Sequence, residues 1–539
     1  MMKPIVMWGG IGVALLILLT TVMNAGNGSN APGGPKRAFP GSGVLAQSPA
    51  FTGDGDAGSG SPNRRADNSS GPDGKAHPAA GSGGDLAAGD VRRFGAQGDG
   101  QHDDTEALQK AVTSGAGRVV LPRGTYRLSR TIDIDLSRTG YICIDGGGVA
   151  TLLMTGAGPA LRFLGTHQGT AAPETVQEQV WGKERMPRVE GLEIVGTHPE
   201  ADGIAARGTM QLTITHVLIR RCRHGIHLTQ RNRNVIIANS HIYHNHGIGV
   251  FLDNVNLHQI NIASCHVSYC GGGGIVCRGG ELRNLQICGC DLESNQGKDQ
   301  PPTANVLIEG GSNAEVAITG CTIQHNHHAR GSANIRIRGP SERVIPKTDE
   351  RREGHITITG NVLSDVMVNI HLDHVRGAVI TGNTFWTAYE HNLLIENSSF
   401  IVLGENNFDR NPRYWREERE DTANAIVLRR CSECILKGFV ISATRACPAA
   451  VTLEQCERCQ IQGISIMDCD GVGLLLRGVT RSRISDCLIR DDRPNAASIA
   501  LQARDSKEIM IIDNYLGRPM QIENTEGIIE RNWGLQKQK

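Results

Sequence analysis

Residues 213–219 read TITHVLI, and the same frame returns as IIANSHI at 236–242, NIASCHV at 261–267, QICGCDL at 286–292, AITGCTI at 317–323, TITGNVL at 357–363 and VITGNTF at 379–385. From Val189 to the C-terminus such units recur every 22 to 25 residues, stretched only where a loop is inserted. A fixed period of this length is the signature of a solenoid, in which each coil buries its apolar face against the next. Aligned, the units share one column of Val217, Ser240, Cys265, Cys290, Cys321, Asn361, Asn383, Asn406, Phe439, Ile464, Cys487 and Asn514. About five residues on runs a second column of Cys222, Asn245, Cys270, Asn295, Asn326, Asn411 and Cys469. Equal positions in stacked parallel strands lie about 4.8 Å apart. The columns therefore predict inward ladders of amides and small thiols in an all-β protein, a parallel β-helix.

Composition agrees. Among 539 residues there are 67 Gly and only 4% aromatics, which favours short strands and tight turns over a helical or doubly wound protein. The 55 basic and 55 acidic side chains cancel, and no stretch carries the excess of Lys and Arg that phosphate neutralisation demands, so a nucleic-acid partner is not expected. Lys3 precedes a nearly unbroken apolar run from Ile5 to Val22, the mark of an exported chain. Residues 1–25 read either as a cleaved signal peptide or as a membrane anchor, which would be the chain's one contact with a membrane. Residues 26–89 are Gly, Pro, Ser, Ala and Asp with almost no large apolar side chain, too little to offset the entropy of ordering, and read as a flexible linker. Residues 90–539 are expected to form the β-helix domain.

That domain opens with VRRFGAQGDGQHDDTEALQKAV at 91–112 and GRVVLPRGTYRLSRTIDI at 117–134. Asp103, Asp104 and Thr105 offer N-cap oxygens, and Ala107, Leu108, Ala111 and Val112 make one apolar stripe, which predicts a short capping helix. The Phe-Gly-Ala, Gly-Asp-Gly, Asp-Asp-Thr and Pro-x-Gly-x-Tyr elements of this stretch resemble the opening of the pectate-lyase-like superfamily. The resemblance of this opening stretch implies a right-handed parallel β-helix.

In an exported protein fifteen cysteines would ordinarily suggest disulfides. Most of them stand at ladder positions where other coils carry Asn, Ser or Val, so they read as small buried residues. Cys431, Cys434, Cys456 and Cys459 form two C-x-x-C pairs one coil apart. A zinc tetrathiolate, two disulfides and free thiols in a turn all fit that spacing, and one repeat of the solenoid already accounts for it.

Function is expected where loops rise around a sheet face. The third strand of each coil reads IHLT, VFLD, IVCR, VLIE, IRIR, IHLD, LLIE, IVLR, VTLE and LLLR down the stack. Insertions at residues 165–188, 296–304, 339–353 and 409–424 flank this strand on both sides and would wall it into a groove, with Trp181, Tyr414 and Trp415 placed either to stack on sugar faces or to pin these long loops. One outward column runs His227, Phe251, Val276, Leu307, Arg336, His371. The other runs Arg207, Thr229, Asp253, Arg278, Glu309, Arg338, Asp373, Glu396, Arg429, Glu454, Arg477, and its charges largely alternate as in a surface ion ladder. Asp373 and Glu396 break the alternation. Two carboxylates about 5 Å apart match the nucleophile and acid of a retaining glycosidase, and they match equally a four-member network with Arg338 and Arg429. The candidate catalytic cluster is Arg336, Arg338, His371, Asp373 and Glu396, with His227, Asp253, Arg278, Tyr414 and Trp415 as substrate contacts.

The resemblance adds a second candidate, because polygalacturonase-type hydrolases of this superfamily carry Asn-Thr-Asp, Asp-Asp, Gly-His-Gly and Arg-Ile-Lys motifs. EADGI is similar to the first and keeps Asp202, NHGIG is similar to the third and keeps His246, and NIRIRG is similar to the last, with Arg336 and Arg338. The Asp-Asp register holds CRHGI, with Arg223 and His224, which argues against inverting hydrolysis. The superfamily also performs β-elimination on uronates, with calcium or arginines neutralising the carboxylate; Arg278, Arg336 and Arg338 could neutralise and His227 or His371 could abstract the proton. The expectation is an exported protein acting on polysaccharide as lyase or hydrolase, with a non-catalytic glycan-binding or structural envelope protein as the alternative.

Overall fold

A computed structural model describes residues 86–169, 172–326, 329–339, 353–411 and 422–534. Ser82–Lys539 forms one compact unit. The apolar run Ile5 to Val22, residues 26–85 of the linker and most of the insertions at 339–353 and 409–424, including Tyr414 and Trp415, lie outside the described residues.

Every strand pairing is parallel, and each strand hydrogen-bonds its counterparts one coil before and one coil after. In one coil Thr213–Thr215 supplies the first sheet, Leu218–Arg220 the second and Ile226–Ala238 the third, the last running on into the next coil. The first of these pairs Ile236 to Ala238, and the second pairs His241 to Tyr243. The interior is a continuous column of Ile, Leu and Val with relative exposure near zero, as burial on the inner side of each strand requires.

The turns explain the sequence frame. Between first and second strands the chain makes its corner on a single left-handed residue, seen at His216, Asn239, Ser264, Gly289, Gly320, Gly360, Gly382, Asp486 and Asp513. Glycine populates that region without steric cost, and Asn, Asp and His tolerate it best among the others. The next residue then points inward. There Asn383 Oδ1 accepts from Asn361 N and Nδ2, both at 3.0 Å, and Asn406 Oδ1 accepts from Asn383 N at 2.9 Å and Nδ2 at 3.0 Å. Asn361 serves Cys321 N in the same way at 2.9 Å, and Asn514 serves Cys487 N at 3.0 Å. The corner amides that no strand satisfies are thus bonded by the ladder above.

All residues of the first column are buried, and the second column is buried at Cys222, Asn245, Cys270, Asn295, Asn326 and Cys469. Asn411 departs from it and is exposed. Its coil ends early, in the two-residue strand Asn407–Phe408, and Arg410 turns inward instead, donating from Nη1 to Thr422 O at 3.3 Å. A third ladder escapes the alignment of the units. Asn305, Asn334, Asn369 and Asn392 pass amide hydrogen bonds of 2.7 to 2.9 Å from Asn295 down the start of the third sheet.

The capping helix spans Thr105–Thr113 and buries Ala107, Leu108, Ala111 and Val112, as the stripe predicts. Asp104 stands at its N-cap but caps nothing; its carboxylate accepts from Gln97 N at 2.7 Å and Gly98 N at 3.0 Å, which ties down the Gly-Asp-Gly turn.

All fifteen cysteines are free, twelve of them buried. Cys431 and Cys456 stack, as do Cys434 and Cys459, through the bridge Ser432–Glu457 between them. The sulfur of each of the four lies within hydrogen-bond distance of a backbone carbonyl, for example Cys431 Sγ and Arg429 O at 3.3 Å and Cys434 Sγ and Ser432 O at 3.3 Å. Hydrogen bonds with Cys431 and Cys459, together with burial, push the Cys434 thiol up. The next coil continues the column with Ser482, whose Oγ accepts from Cys459 N at 3.0 Å. Ladder packing therefore accounts for these cysteines. Native labelling with a small maleimide is expected to modify Cys288, the exposed thiol, within minutes, with Cys143 and Cys447 slower and the buried thiols only on unfolding. Rapid native labelling of Cys265 or Cys434 would contradict the register.

Candidate functional site

The third sheet holds its expected register through eleven neighbouring coils: Thr229, Asp253, Arg278, Glu309, Arg338, Asp373, Glu396, Arg429, Glu454, Arg477 and Arg504 pair in turn. The companion column pairs His227, Phe251, Val276, Leu307, Arg336 and His371. Between His227 and His371 this column is not open floor. Phe251, Val276 and Leu307 are buried in a second apolar cluster with Ile248, Ala304, Ala333 and Val368, all of them residues of this sheet.

Next to this apolar patch a charged cluster begins. Arg336 is only 6% exposed, yet no carboxylate among the described residues hydrogen-bonds it. Its Nη1 donates to Thr303 O at 3.0 Å, its Nη2 to Gly331 O at 2.8 Å and its Nε to His371 Nδ1 at 3.2 Å. Burial pulls the guanidinium down to about 10. A guanidinium has only donors, so Nδ1 of His371 accepts and its proton sits on Nε2. That nitrogen lies 3.4 Å from Glu396 Oε2 and has no aligned hydrogen-bond partner. Burial, and secondarily Arg336, lower the His371 pKa, which keeps the imidazole neutral.

The stacked carboxylates are brought side by side but turn apart. Asp373 Oδ1 accepts from Asn397 Nδ2 at 2.8 Å and lies 2.7 Å from His374 Nδ1. Glu396 lies between His371, Arg429 Nη1 at 3.6 Å and Arg430 Nη2 at 3.7 Å. Arg429 and Arg430 thus offset the like-charge contact at Glu396, while Asp373 is held by Asn397 and His374. Arg338 reaches Glu309 at 3.9 Å, and Arg278 pairs the same carboxylate at 2.9 Å. His374, Asn397, Arg430 and His391 are members of the site that sequence reading missed. His374 and Asn397 sit in the left-handed region just past the strand, where strand alternation no longer says which way a side chain points. Burial pushes His391, within the strand Thr384–Glu396, down to about 4.

At the other end Asp202 is 2% exposed, and its carboxylate is filled by Arg223, from Nε at 3.0 Å and Nη2 at 2.7 Å, and by His224 N at 3.0 Å. His246 is exposed and donates to Pro199 O at 2.7 Å. His227 pairs with Asp253 at 3.1 Å and stacks on Phe251 at 5.0 Å. The glycines of the DGI and HGI stretches are demanded by packing, since a Cβ on Gly203 would stand 2.3 Å from Gly225 O and 2.6 Å from Ile219 Cγ2. Trp181 packs on Val176, Val180 and Met210 and pins its loop.

Burial lowers His167, His224 and His391 to about 4 each. The unfolded chain binds more protons than the folded one between the unperturbed value of about 6.5 and about 4. Stability is therefore expected to fall as pH drops through this window, before the carboxylates titrate. Thermal melts at stepped pH check it, and His224→Gln should flatten the slope.

Three family models match the chain: "Rhamnogalacturonase A/epimerase, pectate lyase-like" over residues 89–158, "Right handed beta helix region" over 186–323, and "Periplasmic copper-binding protein (NosD)" over 288–539. No curated protein shows detectable similarity to it in sequence. Among solved structures it is similar to the A-module of the mannuronan C-5 epimerase AlgE4 of Azotobacter vinelandii, at 12% identity over 82% of this chain and 99% of that one, TM-score 0.35. It is also similar to PfbA, a surface adhesin of Streptococcus pneumoniae, at 11% identity over 79% and 92%, TM-score 0.38. A third likeness is to the pre-mature gene product 12 of bacteriophage phi29, at 14% identity over 83% and 57%, TM-score 0.45. The opening segment thus resembles the pectate-lyase-like superfamily, and the coil-to-coil register is that of a right-handed parallel β-helix.

Proposed function

We propose that this chain is exported and cleaves an acidic polysaccharide on its third sheet, around Arg336, Arg338, His371, Asp373 and Glu396. The observation that carries the reading is the buried guanidinium of Arg336 fixing His371 as a neutral imidazole whose Nε2 proton faces Glu396. β-Elimination suits this geometry better than hydrolysis, because Asp373 is turned onto His374 and Asn397 and does not share a bond with Glu396. Glu396 takes the C5 proton of a uronate, the C4–O bond breaks, a C4=C5 double bond forms, and His371 Nε2 protonates the departing oxygen while its Nδ1 takes the Arg336 Nε proton, so that no imidazolate forms; return of the Glu396 proton through His371 to Arg336 restores all three. Arg338 and Arg278, half exposed, face the uronate carboxylate. Calcium is the cation this chemistry would recruit. Export is supported by the apolar run Ile5 to Val22 and by the match to a periplasmic family.

The alternative is a non-catalytic glycan binder or structural envelope protein. It is favoured by the pairing of the exposed column, where Arg429 and Arg477 both hold Glu454, as a ladder that serves stability alone would. Incubation with uronate-containing and neutral polysaccharides separates the readings. Reducing ends with ultraviolet absorbance of an unsaturated uronate mean elimination, and reducing ends alone mean hydrolysis. Retardation in a glycan-containing gel without products means binding, and no effect in any arm overturns the proposal.

A further inference from the structure

On the second sheet, away from the charged cluster of the third, His266–Ser268 and Asp291–Glu293 stack in register, with His266 opposite Asp291 and Ser268 opposite Glu293. Alternate residues of a strand share a face, and Val267 and Leu292 are wholly buried. His266, Ser268, Asp291 and Glu293 therefore project together from the outer face. One ligand atom each from His266, Asp291 and Glu293 falls within 4.8 Å of the others.

Several polar atoms at this spot are buried without a hydrogen bond. His266 Nε2 lies 3.2 Å from Asp291 Oδ2 but is not aligned to bond it, and Asp291 Oδ1 has no partner among the described residues. Ser268, 1% exposed, leaves its Oγ unpaired beside Glu293. Burying such atoms unpaired is unfavourable, and a bound ligand would offset that cost. The surroundings are already organised. Glu293 Oε1 is held by His325 Nδ1 at 2.8 Å and by Tyr269 Oη at 3.2 Å, and His325 Nε2 stands 3.4 Å from the fully buried Asp365. The ion pairs of this cluster are with imidazoles and none is with arginine or lysine, among the described residues.

We propose that His266, Asp291 and Glu293 bind a divalent transition-metal ion of the zinc class, clipping two neighbouring coils together on the second sheet. A neutral imidazole nitrogen with two carboxylates balances a charge of two, and mixed nitrogen and oxygen donors select ions such as Zn2+ or Co2+ over alkaline-earth ions, which prefer oxygen alone. Metal–ligand distances of about 2.0–2.2 Å place cis ligands about 3 Å apart, near the separation of His266 and Asp291. His325 and Tyr269 act from behind Glu293, orienting its carboxylate. Three protein ligands leave positions for water or an incoming anion.

Cobalt(II) titration of the full chain is the test, because its spectrum separates this site from the cysteines. Visible d–d bands at one equivalent, without a sulfur-to-cobalt charge-transfer band, are expected, together with a melting temperature that rises on adding Zn2+. His266→Ala should abolish the bands and that rise, and Asp291→Asn should weaken binding at least about 10-fold; circular dichroism shows whether each variant folds. Absence of d–d bands in the parent chain overturns the proposal. So do bands that survive both substitutions, or bands carrying the charge-transfer signature of thiolates.

Discussion

Glu396→Gln is expected to lower turnover of an acidic polysaccharide by about 100-fold or more, the usual size of a lost general base, while the chain stays folded. The amide keeps the volume and still accepts from Arg429 and Arg430, so the stability change should remain within about 1 kcal/mol, as for other partly exposed ion pairs. Asp373→Asn separates the two mechanisms. If Asp373 only anchors His374 and Asn397, activity falls about 10-fold or less; if the pair works as nucleophile and acid, both substitutions are equally damaging. His371→Gln should match Glu396→Gln in kcat with little change in KM, because it removes a proton donor used in the transition state. Full activity in both Glu396→Gln and His371→Gln would return the cluster to the ion ladder and leave the glycan-binding reading standing.

Asn383→Ala is expected to cost about 2–4 kcal/mol of stability. The side chain accepts from Asn361 N and Nδ2 and donates to Ile358 O and Thr381 O. Its loss strands a buried corner amide, and each such group costs about 1–3 kcal/mol. Asn407→Ala, at an exposed position one coil further on, should change stability by less than about 0.5 kcal/mol. Urea melts of the two variants make the comparison, and equal midpoints would show that the ladder amides are not doing what the register says. Because a solenoid coil touches only its neighbours, the loss should also broaden the transition as cooperativity across the coil of Asn383 weakens.

Much of this architecture is legible in order along the chain. The period of 22 to 25 residues, the inward columns and the left-handed corner residues are local, since each follows from which side of a strand or turn a residue occupies. That is why the pairing of Asp373 with Glu396, or of Arg336 with His371, follows from the repeat register alone. The third ladder is legible too, in the Asn that precedes each third strand in ANVLIE, ANIRIR, VNIHLD and HNLLIE. Alignment on the first-strand frame hides it. Asn411 marks the opposite case, in which equal spacing from Asn406 suggests an inward site and the early end of its strand turns Arg410 in instead.

The site itself divides along the same line. Stacking order places the two carboxylates in neighbouring coils, but strand position carries no information on rotamers, so it cannot tell that Asp373 swings to His374 while Glu396 swings to His371. Nor can it show that Phe251, Val276 and Leu307, outward by parity, are buried, because their burial depends on contacts between side chains of neighbouring coils. Asp202 reads as a lone acid in the sequence and is occupied on both oxygens by Arg223 in the fold. The backbone period of a parallel β-helix is a one-dimensional property that nearest neighbours impose. The directions of its outward side chains, and hence which charges meet, are set by packing and hydrogen bonds between residues one coil apart in the stack, and these exist only once the coils have closed.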